Sequence, residues 1–311
     1  MDLFICSTAL QTKIAQRIIE ECKITDYELF YFTHVENNKE KYYFEKLAEK
    51  SKGSTFYICR TRFPSYFSNI KRLFEKKFYD DIYLGSVDNV YAHLVLSYCR
   101  FSNLMTFDDG ASNISKSSMY YVSRRSIFAE YIYFLFGCRY SLEKVKRKSL
   151  EHFSIYPSAE NIIENVKHIS LFDDCVLSRD RYLLQGECHV FLGCLWSVVS
   201  KERVSSLVSD LEMYFEKLDN CFYIPHPKDN TTYFDSLERL PGDLIAEDLI
   251  IELSKKFKTV NVYGIGSAAL FNLLGIQWVN VFTLIHSDLA EIFAQLSYSL
   301  IGNGAKSFHV E

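Results

Sequence analysis

Three short segments carry residue types that could do group-transfer chemistry, and each falls where an apolar run gives way to a loop or helix. In Thr106-Phe107-Asp108-Asp109-Gly110, two adjacent carboxylates precede a glycine. One can take a proton from a substrate hydroxyl while the other fixes the loop; the same residues also make an ordinary turn or helix start. In Tyr223-Ile224-Pro225-His226-Pro227, two prolines pin the backbone on either side of a histidine. A histidine held this way can hydrogen-bond or protonate a departing phosphate, or simply be satisfied by backbone carbonyls in a tight turn. In Tyr263-Gly264-Ile265-Gly266-Ser267-Ala268-Ala269-Leu270, a glycine-rich turn opens a helix of small residues. Backbone N–H groups and the Ser267 hydroxyl can there approach an anion at the positive helix end. The spacing is neither GxGxxG nor a Walker loop, and close helix–sheet packing would use similar residues. Between the last two segments, Glu247 and Asp248 stand in the first turn of a predicted helix, where they either compensate its dipole or accept hydrogen bonds from ribose hydroxyls.

These segments need a scaffold that brings strand ends together, and the chain has the pattern for one. Short β-branched and aromatic runs alternate with longer helical periodicities, the sequence form of βα units in mostly parallel sheets. Strands are predicted at Leu3 to Ser7, Glu28 to Thr33, Thr55 to Arg60, Asp81 to Gly85 and Leu104 to Phe107, with a first crossover helix over Thr12 to Cys22. Ser7, Thr8 and Gln11 then sit at the carboxyl end of the first strand, the edge where ligands bind in open α/β sheets. The pattern restarts with strands at His189 to Gly193, Cys221 to Pro225, Val260 to Tyr263 and Val279 to Leu284, separated by helices at Lys201 to Leu218 and Ala246 to Lys256. The stretch 120–188 has less strand character and reads as a helical excursion with the linker. Two Rossmann-like α/β domains, 1–155 and 156–311, with a cleft between them, are the expected architecture.

Composition agrees and excludes some classes. A chain of 311 residues, 48% apolar, suits two cores better than one. Lys and Arg number 35 against 39 Asp and Glu, so there is no general drive towards nucleic acid. Nine scattered cysteines, with no CxxC pair, fit a reducing cytosol and no zinc or redox motif. The N-terminal MDLFICSTAL lacks a basic n-region and reads as a strand instead of a secretory signal. No run is long enough to span a bilayer.

The order of the motifs resembles the bacterial lipooligosaccharide sialyltransferase family, whose best-known members are neisserial α-2,3-sialyltransferases. The likeness runs through Cys6 to Gln11, Lys13 to Ile18, Asn38 to Phe44, Ile82 to Leu84, Thr106 to Gly110, Asn113, Pro225-His226-Pro227, Glu247-Asp248 and Ser267 to Leu270. It implies a modified GT-B architecture, CMP-sialic acid as donor, inversion at the anomeric carbon, no required metal or cofactor, and a galactose-terminated lipooligosaccharide or glycolipid as acceptor. By the same resemblance, His226 stabilises or protonates the leaving phosphate, Gly266, Ser267 and Ala268 hold it beside Pro227, and Glu247 contacts the cytidine ribose. Neisserial members place an aspartate base where this chain carries Ser200, and serine is not a base at neutral pH without help. Asp109, Asp108 and Glu202 are the substitutes. Asp109 is favoured, since a separate sialyltransferase family with a similar Asp-Asp-Gly and His-Pro pair uses its second aspartate. A related transferase using CMP-Kdo or a nucleotide-hexose, and a non-catalytic glycan- or nucleotide-binding protein, are the competing readings.

The expected place of work is the cytoplasm, with peripheral contact at the inner face of the cytoplasmic membrane. Arg124 to Lys148 interleaves Arg124, Arg125, Arg139, Lys144, Lys146, Arg147 and Lys148 with aromatic and aliphatic residues. This reads first as a buried helix with solvated charges at its end; it also fits an anionic lipid surface or, given the dimers of the family, a second subunit.

Overall fold

A computed structural model describes all residues except 115, 117, 119, 122–124, 158, 179, 180, 182, 201–203, 230 and 311. Arg124 and Glu202 therefore lie outside the described residues. The chain divides into two compact units, Met1–Leu171 and Phe172–Glu311.

The first unit runs β1 (Asp2–Cys6), α1 (Ala9–Glu21), β2 (Tyr27–Thr33), α2 (Asn38–Ala48), β3 (Gly53–Ile58), α3 (Ser65–Phe74), β4 (Phe78–Leu84), α4 (Val90–Tyr98), β5 (Arg100–Phe107), α5 (Ile127–Leu135), α6 (Leu142–Lys148), β6 (Ser149–Ser154) and β7 (Val166–His168). Its sheet has the order β3-β2-β1-β4-β5-β6-β7, and the pairings are parallel. The strand order reverses between β1 and β4, so the connections leaving the carboxyl ends of those two paired strands run to opposite sides, the place where such sheets form a crevice. Central β1 is buried from Leu3 through Cys6, as a strand covered by helices on both faces must be.

Helix α1 starts three residues earlier than its apolar periodicity predicts, because the Thr8 hydroxyl accepts the Gln11 N–H at 3.2 Å and caps the first turn. The cap matters for the site, since it turns Gln11 back over the end of β1.

The second unit runs α7 (Asp174–Leu177), β8 (Glu187–Leu192), α8 (Trp196–Val199), α9 (Val204–Phe215), β9 (Cys221–Ile224), β10 (Glu238–Arg239), α10 (Ala246–Leu253), β11 (Thr259–Gly264), α11 (Ala268–Leu273), β12 (Val279–Leu284), α12 (Glu291–Gly302) and β13 (Lys306–Phe308). Its parallel sheet, β10-β9-β8-β11-β12-β13, repeats the topology, with the reversal between β8 and β11. Each unit has its own core. Ile5, Phe30, Phe67, Ile82 and Leu94 belong to the first, and Phe191, Trp196, Leu211, Tyr223 and Phe234 to the second.

Two expectations are corrected. The stretch 120–188 is not only a helical excursion and linker, because β6 and β7 extend the first sheet through it. β6 is buried only over His152, Phe153 and Ser154, and the three-residue β7 is exposed throughout; short polar strands at a sheet's edge carry little apolar pattern. Helix α5 is also not buried: none of its residues is. No helix among the described residues is long and apolar enough to cross a membrane.

Candidate active site

In the first unit, polar groups converge at the ends of β1, β4 and β5. The Ser7 N–H donates to Gln11 Oε1 at 2.7 Å, and Gln11 Nε2 donates to Ser86 Oγ at 2.9 Å. Ser7 Oγ and Ser86 Oγ lie 2.6 Å apart, closing a ring across the crevice. Gly85 makes room for it. A Cβ at that position would stand 2.7 Å from Gln11 Cδ and 2.9 Å from the Phe107 ring, well inside ordinary contact.

The two aspartates after β5 have opposite environments. Asp108 is wholly buried and its carboxylate is filled: His152 Nε2 meets Oδ1 at 2.9 Å, Asn161 Nδ2 donates to Oδ1 at 3.1 Å, and the Ser154 hydroxyl and Ile155 N–H each donate to Oδ2 at 2.7 Å. His152 Nδ1 meets Thr106 Oγ1 at 2.8 Å. The hydroxyl–imidazole–carboxylate line has the order of a nucleophilic triad, but Thr106, His152 and Asp108 are all sealed from solvent. It fastens β5 to β6.

Asp109 is half-buried. Its backbone N–H donates to Asn113 Oδ1 at 2.7 Å and its Oδ2 accepts the Tyr120 hydroxyl at 2.6 Å. Burial raises its pKa above the ordinary aspartate value; hydrogen bonds from Tyr120 and Gln11 pull the other way without cancelling the rise, and the neighbouring Asp108 adds to it. Burial and the Asp109 charge push the Tyr120 phenol well up, so it stays neutral and donates. Nearby in the fold, the Tyr31 hydroxyl donates to Glu40, whose carboxyl burial also raises.

In the second unit, His226 follows the end of β9. Its Nδ1 accepts the Lys228 N–H at 3.2 Å, which leaves the ring proton on Nε2. Gly193, after β8, allows this loop to come close: a Cβ there would lie 2.5 Å from Tyr223 Oη and 3.0 Å from the His226 nitrogen. Pro227 is exposed. Gly266 has φ +53°, in the left-handed region that glycine enters freely, with Leu296 Cβ 3.0 Å from where a Cβ would be. Ser267 caps the six-residue α11, accepting the Ala269 N–H at 3.3 Å, and Ala268 is that helix's first residue. Glu247 is buried in the first turn of α10 and its Oε1 accepts Asn272 Nδ2 at 2.6 Å, tying α10 to α11.

Ser200 is buried, and its hydroxyl has no hydrogen-bond partner among the described residues. It pairs through an antiparallel bridge with Leu289, and the Ala290 N–H donates to the Val199 carbonyl at 2.8 Å. The loop docked there holds a residue that the sequence motifs passed over. His286, just beyond β12, accepts the Asp288 N–H on Nδ1 at 3.1 Å and so presents Nε2 as a donor in the same tautomer as His226. Its position after a strand is the only signal for it in the sequence; no proline or glycine marks it.

Known proteins resemble the chain along most of its length. The family model for glycosyltransferase family 52 matches residues 26–289. An N-acetyllactosaminide α-2,3-sialyltransferase of Haemophilus influenzae is 28% identical over 282 residues, covering 88% of this chain and 88% of that protein. A CMP-N-acetylneuraminate:β-galactoside α-2,3-sialyltransferase of Pasteurella multocida is 26% identical over 278 residues, with 88% and 87% covered. An N-acetyllactosaminide α-2,3-sialyltransferase of Neisseria meningitidis is 24% identical over 308 residues, with 94% and 80% covered. Among solved structures, the UDP-GlcNAc 2-epimerase of Methanocaldococcus jannaschii superposes with TM-score 0.55 at 12% identity over 99% of this chain and 88% of that one. The structure titled TcCGT1 in complex with UDP gives 0.51 at 9% identity, over 99% and 85%. These structural likenesses carry the fold alone: two parallel-sheet α/β domains of the GT-B type. The family match covers most of the chain, and the chain belongs to glycosyltransferase family 52.

Proposed function

We propose that this protein is an inverting sialyltransferase that moves sialic acid from CMP-sialic acid to a terminal galactose of a lipooligosaccharide or glycolipid, forming an α-2,3 linkage. The observation that carries the reading is the likeness, along most of their lengths, to three proteins named as α-2,3-sialyltransferases, in a chain whose strand ends hold a carboxyl raised by burial and a tautomer-fixed histidine.

Residues 1–155 serve the acceptor and 156–311 the CMP-sugar. Asp109 takes the proton of the acceptor hydroxyl as that oxygen bonds to the anomeric carbon, and the bond from that carbon to the CMP phosphate breaks with its electron pair on phosphate. Attack opposite a β-linked donor gives the α product. A base whose pKa is lifted towards the working pH accepts that proton more effectively. Asp108, with four hydrogen bonds on its carboxylate, holds the turn while Asp109 reacts. His226 donates a hydrogen bond from its Nε2–H to the leaving phosphate. The turn at Gly266, Ser267 and Ala268, with Pro227, cradles that phosphate, and His286 adds a second Nε2 donor on the same sheet edge. Glu247, oriented by Asn272, receives the ribose hydroxyls. No metal or cofactor takes part in this scheme. The protein works as a homodimer in the cytoplasm, peripherally at the inner face of the membrane.

The reading is tested by incubating purified protein with lactose and, separately, CMP-sialic acid, CMP-Kdo and a UDP-hexose. Product from CMP-sialic acid that an α-2,3-specific sialidase cleaves supports it; transfer only from another donor, or CMP binding without transfer to any galactoside, contradicts it.

A further inference from the structure

Tyr120 belongs to the core of the first unit by its ring and to the crevice by its hydroxyl. The residue is buried and packs within the apolar cluster of that unit. Phenylalanine would fill the same volume, so packing alone does not call for the hydroxyl. That hydroxyl donates to Asp109 Oδ2 at 2.6 Å, the length typical of an O–H bond to a carboxylate. The backbone of Asp109 is pinned separately, its N–H on Asn113 Oδ1 at 2.7 Å and the following Gly110 turning the chain at φ +67°.

The hydrogens behind this contact can be followed. Ser86 Oγ accepts Gln11 Nε2 at 2.9 Å and lies 2.6 Å from Ser7 Oγ, and Ser86 also hydrogen-bonds the Tyr120 hydroxyl. The Tyr120 proton is committed to Asp109, so Ser86 gives its own proton to the phenol oxygen. A hydroxyl has one donor site and two acceptor sites, and Ser86 therefore takes its second incoming hydrogen from Ser7. The bonds then all point one way: Ser7 to Ser86, Ser86 to Tyr120, Tyr120 to Asp109. Gln11, wholly buried, feeds Ser86 and also hydrogen-bonds Asp109. Aligned hydrogen bonds polarise one another, which makes the phenol at the end a stronger donor than one standing alone. We infer that Tyr120 is a positioning residue for the transfer: backed by Ser86 and Ser7, its hydroxyl fixes the orientation in which the Asp109 carboxylate meets the acceptor hydroxyl. A hydrogen bond to the carboxylate also favours its ionised form, the one that takes a proton. The inference rests on Asp109 being the base of the proposed transfer. Cys6 at the end of β1 and Tyr31 on β2 also feel the Asp109 charge; burial pushes the thiol and the phenol up, so both stay neutral. Asp108 acts on Asp109 itself, and Asp88 on Tyr120.

The experiment compares the full-length parent with Tyr120→Phe, with site-specific 3-fluorotyrosine in place of Tyr120, and with Asp109→Asn, using circular dichroism to confirm folding. Two readouts are taken. One is kcat and KM for lactose and CMP-sialic acid across pH; the other is titration of the Asp109 carboxyl by carbon-13 NMR on aspartate-labelled protein, its resonance assigned as the one missing from Asp109→Asn. Tyr120→Phe keeps the ring and loses the hydroxyl. Its acid limb in kcat/KM and its carboxyl midpoint should both rise by about one to two pH units, the size of one hydrogen bond to a charged group. Its plateau kcat should fall about ten- to a hundredfold, the usual loss for a misplaced reacting group, with both KM values little changed. The more acidic fluorophenol donates more strongly and should move both midpoints down. A folded Tyr120→Phe protein with parental midpoints, whether or not its kcat falls, overturns the inference and leaves Asp109 as the base if Asp109→Asn is inactive. Near-parental turnover by Asp109→Asn overturns the base assignment and the inference with it. If Tyr120→Phe does not fold, the fluorotyrosine protein decides, and midpoints that stay at the parental pH overturn the inference.

Discussion

Asp109→Asn separates chemistry from structure in one substitution. The amide keeps an oxygen that can accept the Tyr120 hydroxyl, now 2.6 Å from Oδ2, and leaves untouched the backbone N–H that donates to Asn113 at 2.7 Å. What it loses is the ability to take a proton. General-base catalysis contributes about 10²–10⁴-fold, which is roughly 3–5 kcal/mol of barrier, so kcat for acceptor-dependent CMP release should fall by about that factor. In the parent, kcat/KM should drop on the acid side at a pH above that of an ordinary aspartate, since burial raises this carboxyl and only its ionised form is a base. That limb should vanish from the residual activity of the variant. Stability should move the opposite way. Because the folded-state pKa is raised above the unfolded one, Asp109 contributes its full stability below the unfolded pKa and loses it as pH rises through the folded pKa. Asn does not ionise, so urea midpoints should favour the variant increasingly as pH rises above the ordinary aspartate value of about 4. Near-parental turnover by a folded Asp109→Asn protein would refute the assignment and move the base to another carboxylate, Glu202 first.

Three further substitutions follow from the same geometry. His226→Ala should lower kcat by about 10²–10³-fold, the usual loss when one donor to a developing oxyanion is removed, with the acceptor KM little changed in initial-rate measurements. Asp108→Ala should destabilise the first unit by about 3–5 kcal/mol in urea titration, because it strands the buried His152 and Ser154 side chains, the half-buried Asn161 and the Ile155 N–H; a small effect would contradict the structural role given to it. Gly85→Ala should cost about 1–3 kcal/mol, the usual range for overpacking, and impair acceptor use with CMP affinity unchanged by calorimetry, since its methyl falls 2.7 Å from Gln11 Cδ.

Much of this was legible in the residues. Central strands such as Leu3–Cys6 and Val260–Tyr263 are apolar because helices cover both their faces, and that pattern survives in any frame of reading. The Pro225-His226-Pro227 and Gly264–Ser267 turns stood out because proline and glycine mark backbone constraints directly. What escaped were features defined by tertiary partners. β6 and β7 are short, polar strands, the second of them at the sheet's edge. The division of labour between Asp108 and Asp109 depends on His152 and Asn161, which are more than 40 residues away along the chain. His286 has no unusual neighbour in sequence, and its fixed tautomer comes from a turn. The sequence of helix α5 reads as core because an apolar segment has the same composition whether it faces a core or a surface; only its exposure tells them apart.

The most direct test of the central claim is release of CMP from CMP-sialic acid by the purified protein, with and without a galactose-terminated acceptor, in the presence of EDTA. The account predicts release that depends on acceptor and persists in EDTA. Absence of release, despite CMP binding and with every galactoside offered, would contradict it.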